Sequence, residues 1–192
     1  MDTPHAGTPG QHHPMRGMLI CALLGTASPA IAIDCEEAWL MRNLIFDRAG
    51  YCFGSPLGQA LFDNADCTTT APKLSPVNAA KVAEIRQFEE GCSVDTSQTF
   101  LNARFIAHWM RMEDFPTPDW GESACFGWTG PVLTVRAGHD ADAPVLGAIK
   151  PGDTISFGEM AEQGWEFIRY DRGVGWIAPD TFHPDFCTQL AG

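Results

Sequence analysis

Three stretches in the first hundred residues place apolar side chains at helical spacing. Cys35 to Phe46 (CEEAWLMRNLIF) sets Leu40 with Leu44 and Met41 with Ile45 at i, i+4, which predicts an amphipathic helix. Asp34 is its expected N-cap, and Glu36 and Glu37 suit the positive end of the helix dipole. Gly50 supplies the left-handed residue that stops it. Ser55-Pro56 opens a second helix through Leu57, Leu61 and Phe62, with Ser as cap and Pro at the first helical position. Ser75-Pro76 repeats the device before VNAAKVAEIRQFEEG, where Val82, Ile85 and Phe88 recur every third residue before Gly91.

Residues 93–123 carry a weaker pattern. Leu101, Phe105 and Trp109 fall at i, i+4, i+8 in FLNARFIAHWMRM, which favours a helix over a strand that would lack a clean polar face. The following DFPTPDWGES reads as a turn-rich connector. From Cys125 the chain changes to short runs between glycine turns. WEFIRY alternates Trp165, Phe167 and Arg169 against Glu166, Ile168 and Tyr170, and Asp171-Arg172-Gly173 turns it into GVGWIAPD. The expected class is α+β, with helices first and a small sheet second.

Ahead of the helices lies MRGMLICALLGTASPAIA, Met15 to Ala32. Arg16 forms a short positive region, Met18 to Leu24 an apolar one, and Ala30-Ile31-Ala32 an A-x-A cleavage site. Met15 is read as the start of translation, or else residues 1–14 lengthen the leader's n-region. The residue before Cys21 is not small, so no lipobox is present. Beyond Ala32 no stretch approaches the roughly 20 apolar residues of a membrane helix. Export explains the cysteines. Of seven, Cys21 leaves with the leader, and Cys35, Cys52, Cys67, Cys92, Cys125 and Cys187 remain as an even set suited to disulfides. The expected location is periplasmic or secreted. The net charge of −12 and the lack of a basic stripe argue against nucleic acid as a partner.

LMRNLIFDRAGYCF, followed by Phe62, resembles the YARHG domain, a short helical module of bacterial extracytoplasmic proteins, over roughly residues 35–67. The motif falls on Phe46-Asp47-Arg48-Ala49-Gly50, where Arg48 and Gly50 are kept and Ala49 replaces the histidine. VLTVRAGHDADAPVLGAIKPGDTISFGEMAEQGWEFIRYDRGVGWIAPD resembles a bacterial SH3 (SH3b) domain over about residues 128–182, with its Lys-Pro-Gly-Asp turn and terminal Trp176-Ile177 strand. The whole chain also resembles a family of secreted alphaproteobacterial proteins. The expected organisation is a leader (1–32), a disulfide-stapled helical module (33–92), a connector (93–123) and a small SH3-like β-barrel (124–192). Residues 124–192 are expected to fold alone.

If the three helices run up, down and up, Cys35 and Cys67 share one end, and Cys52 and Cys92 the other. The predicted pairs are therefore Cys35–Cys67, Cys52–Cys92 and, bracketing the barrel, Cys125–Cys187.

Candidate chemistry is sparse. With six cysteines paired, a Cys–His peptidase using His108 lacks its nucleophile. His139-Asp140-Ala141-Asp142 holds ligand types for a divalent ion, yet adjacent residues rarely converge on one; Asp180, His183 and Asp185 read the same way. No metal, cofactor or catalytic set is assigned. Arg42 and Arg48 are read as helix-face charges pairing with Glu37 or Asp47 rather than as a ligand-facing pair. The best binding candidates are the aromatics Trp128, Trp165, Tyr170 and Trp176, because SH3-like grooves lined by such rings take extended peptides. By alternation Trp165 and Tyr170 face opposite ways. The expected function is non-catalytic binding of cell-wall peptide or a periplasmic protein. The alternatives are a wall hydrolase, or an accessory part of one, and a structural partner or inhibitor of a secreted protein.

Overall fold

The computed structural model describes residues 34–192. The leader, its A-x-A site and Cys21 lie outside the described residues. Three helices form where the capping signals stand. α1 spans Cys35–Arg48, with the Asp34 carboxylate accepting from the Glu37 amide at 2.7 Å. α2 spans Pro56–Leu61 and α3 Pro76–Phe88, capped by the hydroxyls of Ser55 and Ser75. Gly50 follows α1 with φ +79°, the left-handed conformation that glycine adopts without steric cost. Ala38, Trp39, Leu40, Met41, Leu44 and Ile45 of α1 are all buried, so this helix is covered on most sides.

The long helix expected across residues 100–112 is a single turn, α4, Ile106–Trp109. Phe105, directly before it, sits at φ +59° and breaks the helical path. Leu101, Trp109, Met112 and Phe115 are buried by tertiary packing, not by sharing one helical face. The turn-rich DFPTPDWGES is likewise corrected, because its second half is already strand.

That strand is β1, Pro118–Trp128, followed by β2 (Leu133–Arg136), β3 (Val145–Ile149), β4 (Ile155–Glu159), β5 (Glu166–Tyr170), β6 (Gly173–Ile177) and β7 (Cys187–Ala191). The described strands form one antiparallel sheet of order β3-β2-β6-β5-β4-β1-β7. The sheet is open, with β3 and β7 at its edges, where a closed barrel was expected. Sequence pattern did not mark β4, β7 or the first half of β1, and these strands stand together as β4-β1-β7 at one end of the sheet. β6 crosses close to β2 at Gly175, where a Cβ would stand 2.6 Å from the Arg136 carbonyl oxygen.

Three disulfides staple the chain: Cys35–Cys92, Cys52–Cys67 and Cys125–Cys187. Only the last matches the expected pairing. The up-down-up argument fails because α2, with 6 residues against 14 in α1, is too short to carry the chain back across the module. Cys67 therefore stays beside Cys52. α3 is the true return stroke, bringing Cys92 to the start of α1.

The sheet is buried on both faces. On one side Phe167, Val174 and Trp176 join α1, α3 and the connector in a single apolar cluster. On the other, Trp128, Leu133, Val135, Ile149, Ile155, Ile168, Tyr170 and Ile177 pack together, with Cys125 and Cys187. All seven strands contribute to this second cluster, so the sheet curls around its own core. This explains why WEFIRY alternates without a polar face: Phe167 points to the helices and Ile168 to the inner core.

Candidate functional site

The four aromatics singled out from sequence divide between the two cores. Trp128, Tyr170 and Trp176 are buried, at 0%, 2% and 0% exposure, and Trp165 is half-buried. Trp128 and Tyr170 belong to the inner core, Trp165 and Trp176 to the cluster shared with the helices. The Tyr170 hydroxyl lies against Gly147, where a Cβ would meet it at 2.2 Å. Trp176 packs edge-on to Phe167 at 5.2 Å. These rings do not come together as a surface.

An aromatic-lined groove does exist, built from residues that sequence pattern did not mark. Ala124 of β1, Phe157 of β4, Leu190 of β7 and Phe182 and Pro184 of the preceding loop enclose a cleft of about 340 Å³. Phe182 anchors it, stacking on Trp128 at 5.6 Å and meeting Phe157 edge-on at 4.8 Å. Trp128 is thus the one predicted aromatic that touches the groove, from beneath. Its indole N–H is spent on the Pro131 carbonyl at 2.8 Å. Leu190 is 57% exposed, on a strand whose outer edge is unpaired within the sheet. Glu166 enters the same groove, and burial alone pushes its carboxyl above the ordinary glutamate range.

The remaining candidates have structural partners. Arg42 donates from Nε to Glu89 at 2.6 Å, not to Glu37. Arg48 donates to the carbonyls of Met112 and Glu113 and lies over the Phe115 ring at 4.4 Å, tying the motif arginine to the connector. His108 packs against Gly173, and burial lowers its pKa, with Arg111 adding to the effect. His139, Asp140 and Asp142 do not converge. His139 Nδ1 stands 2.9 Å from Asp114, while the Asp140 carboxylate accepts from the Asp142 amide. Among the described residues no three His, Cys, Asp or Glu side chains group as metal ligands. All six described cysteines are in disulfides, so none offers a thiolate.

Glu37, read from sequence as a partner for the helix-face arginines, is 1% exposed and pairs instead with Arg169 of β5 at 3.3 Å. The Trp109 indole N–H donates to its other oxygen at 3.4 Å. Glu159 of β4 takes a second branch of the same guanidinium. A buried arginine thus carries one carboxylate from each half of the molecule. Lys81 of α3 repeats the theme, donating to Glu162 at 2.7 Å and to the Phe115 carbonyl. The two halves are therefore joined by apolar packing, by the buried Arg169 cluster and by the buried Lys81 with its half-buried partner Glu162.

The family comparisons divide the chain near the same junction. The YARHG domain matches residues 19–90, a longer span than the motif residues alone. The Domain of unknown function (DUF4453) matches residues 91–192. No curated protein and no solved structure matches the chain.

Proposed function

The chain belongs to the DUF4453 family, and we propose that it is an exported, non-catalytic binding protein of the bacterial envelope that takes cell-wall peptide in the groove beside β7. The observation that carries this reading is the groove itself: an apolar trough, with Glu166 in its lining, beside a free strand edge. A free strand edge offers backbone hydrogen bonds to an extended peptide, and flanking pockets select its side chains. Glu166 suits a ligand bearing an amino group, as stem peptides of the wall do. Three disulfides match an oxidising compartment, and no described helix is long and apolar enough to cross a membrane. The strand half is read as SH3b-like. The curled sheet and the Lys150–Asp153 turn, where the Asp153 carboxylate accepts from the Lys150 amide at 2.6 Å, support it.

Co-sedimentation with purified sacculi tests the proposal. The wild-type protein is expected in the pellet. Leu190→Asp should cut retention at least fivefold and Glu166→Gln less; at the exposed Leu190 the melting temperature should change little, because exposed substitutions shift stability by only about 0.5 kcal/mol. Wild-type protein left wholly in the supernatant would refute the wall as ligand, and equal retention of Leu190→Asp would refute the groove.

A further inference from the structure

A second cleft, of about 350 Å³, lies on the helical half, far in sequence from the strand groove and independent of it. Arg42 and Asn43 of α1 and Arg86 of α3 line it, facing Tyr51, Thr70 and Pro72. Its wall is held firmly. The Cys52–Cys67 disulfide closes the loop, Tyr51 bridges to Thr69, and the Cys52 amide donates to the Thr69 carbonyl at 2.8 Å. Phe46 supports the floor, with Tyr51 at 5.9 Å on one side and the Arg86 guanidinium at 5.9 Å on the other.

The charge here runs against the rest of the molecule. The chain carries −12 overall, yet two arginines and no carboxylate line this cleft. Arg42 spends its Nε on Glu89, which fixes the side chain, and among the described residues both terminal nitrogens remain as donors. Arg86 is exposed and makes no hydrogen bond or ion pair with any described residue. A guanidinium presents paired N–H groups that match the two oxygens of a carboxylate. Phe46, Tyr51 and Pro72 offer an apolar wall beside that position.

We infer that the cleft binds a compact carboxylate ligand, such as the free carboxyl end of a peptide, held between Arg42 and Arg86 with its neighbouring side chain against the Tyr51 wall. Arg86 is the specificity-determining residue, and Arg42, braced by Glu89, is the fixed one. The bound group meets a preformed loop, so little ordering is required on binding.

The test is an NMR titration of the full exported chain with N-acetylalanine, N-acetylalaninamide and inorganic phosphate as separate probes. N-acetylalanine should shift the amides of Asn43, Tyr51 and Thr70 saturably, and the amide probe should not. Arg86→Gln should raise the dissociation constant at least fivefold with little change in melting temperature, because the residue is exposed and makes no hydrogen bond or ion pair with a described residue. Arg42→Gln, read in the same way, guards against an effect confined to one variant. Equal shifts from carboxylate and amide, no shift from either, or full affinity in both variants would overturn the site. Tighter binding of phosphate than of N-acetylalanine would overturn the carboxylate assignment.

Discussion

The helical half and the strand half are stabilised by different means. The helices are short, and two of the three disulfides staple the helical half, Cys35–Cys92 and Cys52–Cys67. The strands build a core from all seven members and need one staple, Cys125–Cys187, across β1 and β7. Neither half completes its own packing. The cluster around α1 is finished by Phe167, Val174 and Trp176 of the sheet, and the buried Glu37 of α1 takes its cation, Arg169, from β5. Two family segments in one chain have become one packing unit.

Separating the halves breaks this comparison most severely. Fragment 124–192 lacks the first half of β1, which reaches back to Pro118, and leaves Phe167, Val174 and Trp176 uncovered. Each such side chain stabilises by roughly 2 kcal/mol when buried, so about 6 kcal/mol is lost. That rivals the whole stability of a small domain, about 5–15 kcal/mol. The fragment is expected to give a poorly dispersed amide spectrum, reversing the expectation from sequence. A well-dispersed spectrum from the oxidised fragment would show that the halves are independent.

Arg169→Met is the next largest perturbation. It keeps most of the side-chain volume but strands two buried carboxylates, and breaking such a cluster costs about 3–5 kcal/mol. At the size of this chain that is a fall of about 10 °C in melting temperature. Calorimetry should show one transition, moved down as a whole. Two transitions, only one of them shifted, would contradict the shared core.

The staples sharpen the comparison inside the helical half. In the chain-entropy model the Cys35–Cys92 link, spanning 57 residues, contributes about 4 kcal/mol. Cys52–Cys67, spanning 15 residues, contributes about 3 kcal/mol. The double serine variants should fall in stability in that order under urea. Only loss of Cys52–Cys67 should also loosen the loop that walls the arginine cleft. Peptide mapping without reductant checks the pairing itself; a Cys35–Cys67 peptide would restore the pairing expected from sequence.

What was legible in the sequence follows from how local each signal is. Asp34, Ser55 and Ser75 cap helices through bonds three residues long, so the three helix starts were readable. So were β5, from the alternation of WEFIRY, and β6, after the Asp171-Arg172-Gly173 turn. The disulfides were not, because their pairing depends on how far each helix travels. Residues 100–112 misled because their apolar side chains are gathered by distant neighbours, with Phe105 in the left-handed region. The groove was illegible for a similar reason: Phe157, Phe182 and Leu190 are far apart in sequence. The sequence rule that aromatics mark the site selected the bulkiest rings, and folding places three of those four in the cores.

The smallest expected effect reads the junction by pH. Burial pushes the carboxyls of Glu37 and Glu159 above the ordinary glutamate value of 4.5, with Arg169 pulling the other way. One guanidinium does not neutralise two desolvated carboxylates. From about 4.5 upward the folded state therefore holds protons that the unfolded state has released, so stability falls as pH rises through that window. Below it both states are protonated, and these groups contribute no slope. Glu37→Gln keeps the acceptor for the Trp109 indole N–H and removes the titration. Its urea midpoint, measured from pH 4.5 to pH 8, should decline less steeply with pH than that of the wild type. Glu159→Gln should flatten the profile in the same direction, although the two glutamates sit on opposite halves, because both titrate against one arginine. The double variant should add little beyond the stronger single one, since neutralising either carboxylate relieves most of the excess charge. Profiles parallel to the wild type in both variants would mean that Arg169 fully compensates the pair, and the junction would then be insensitive to pH.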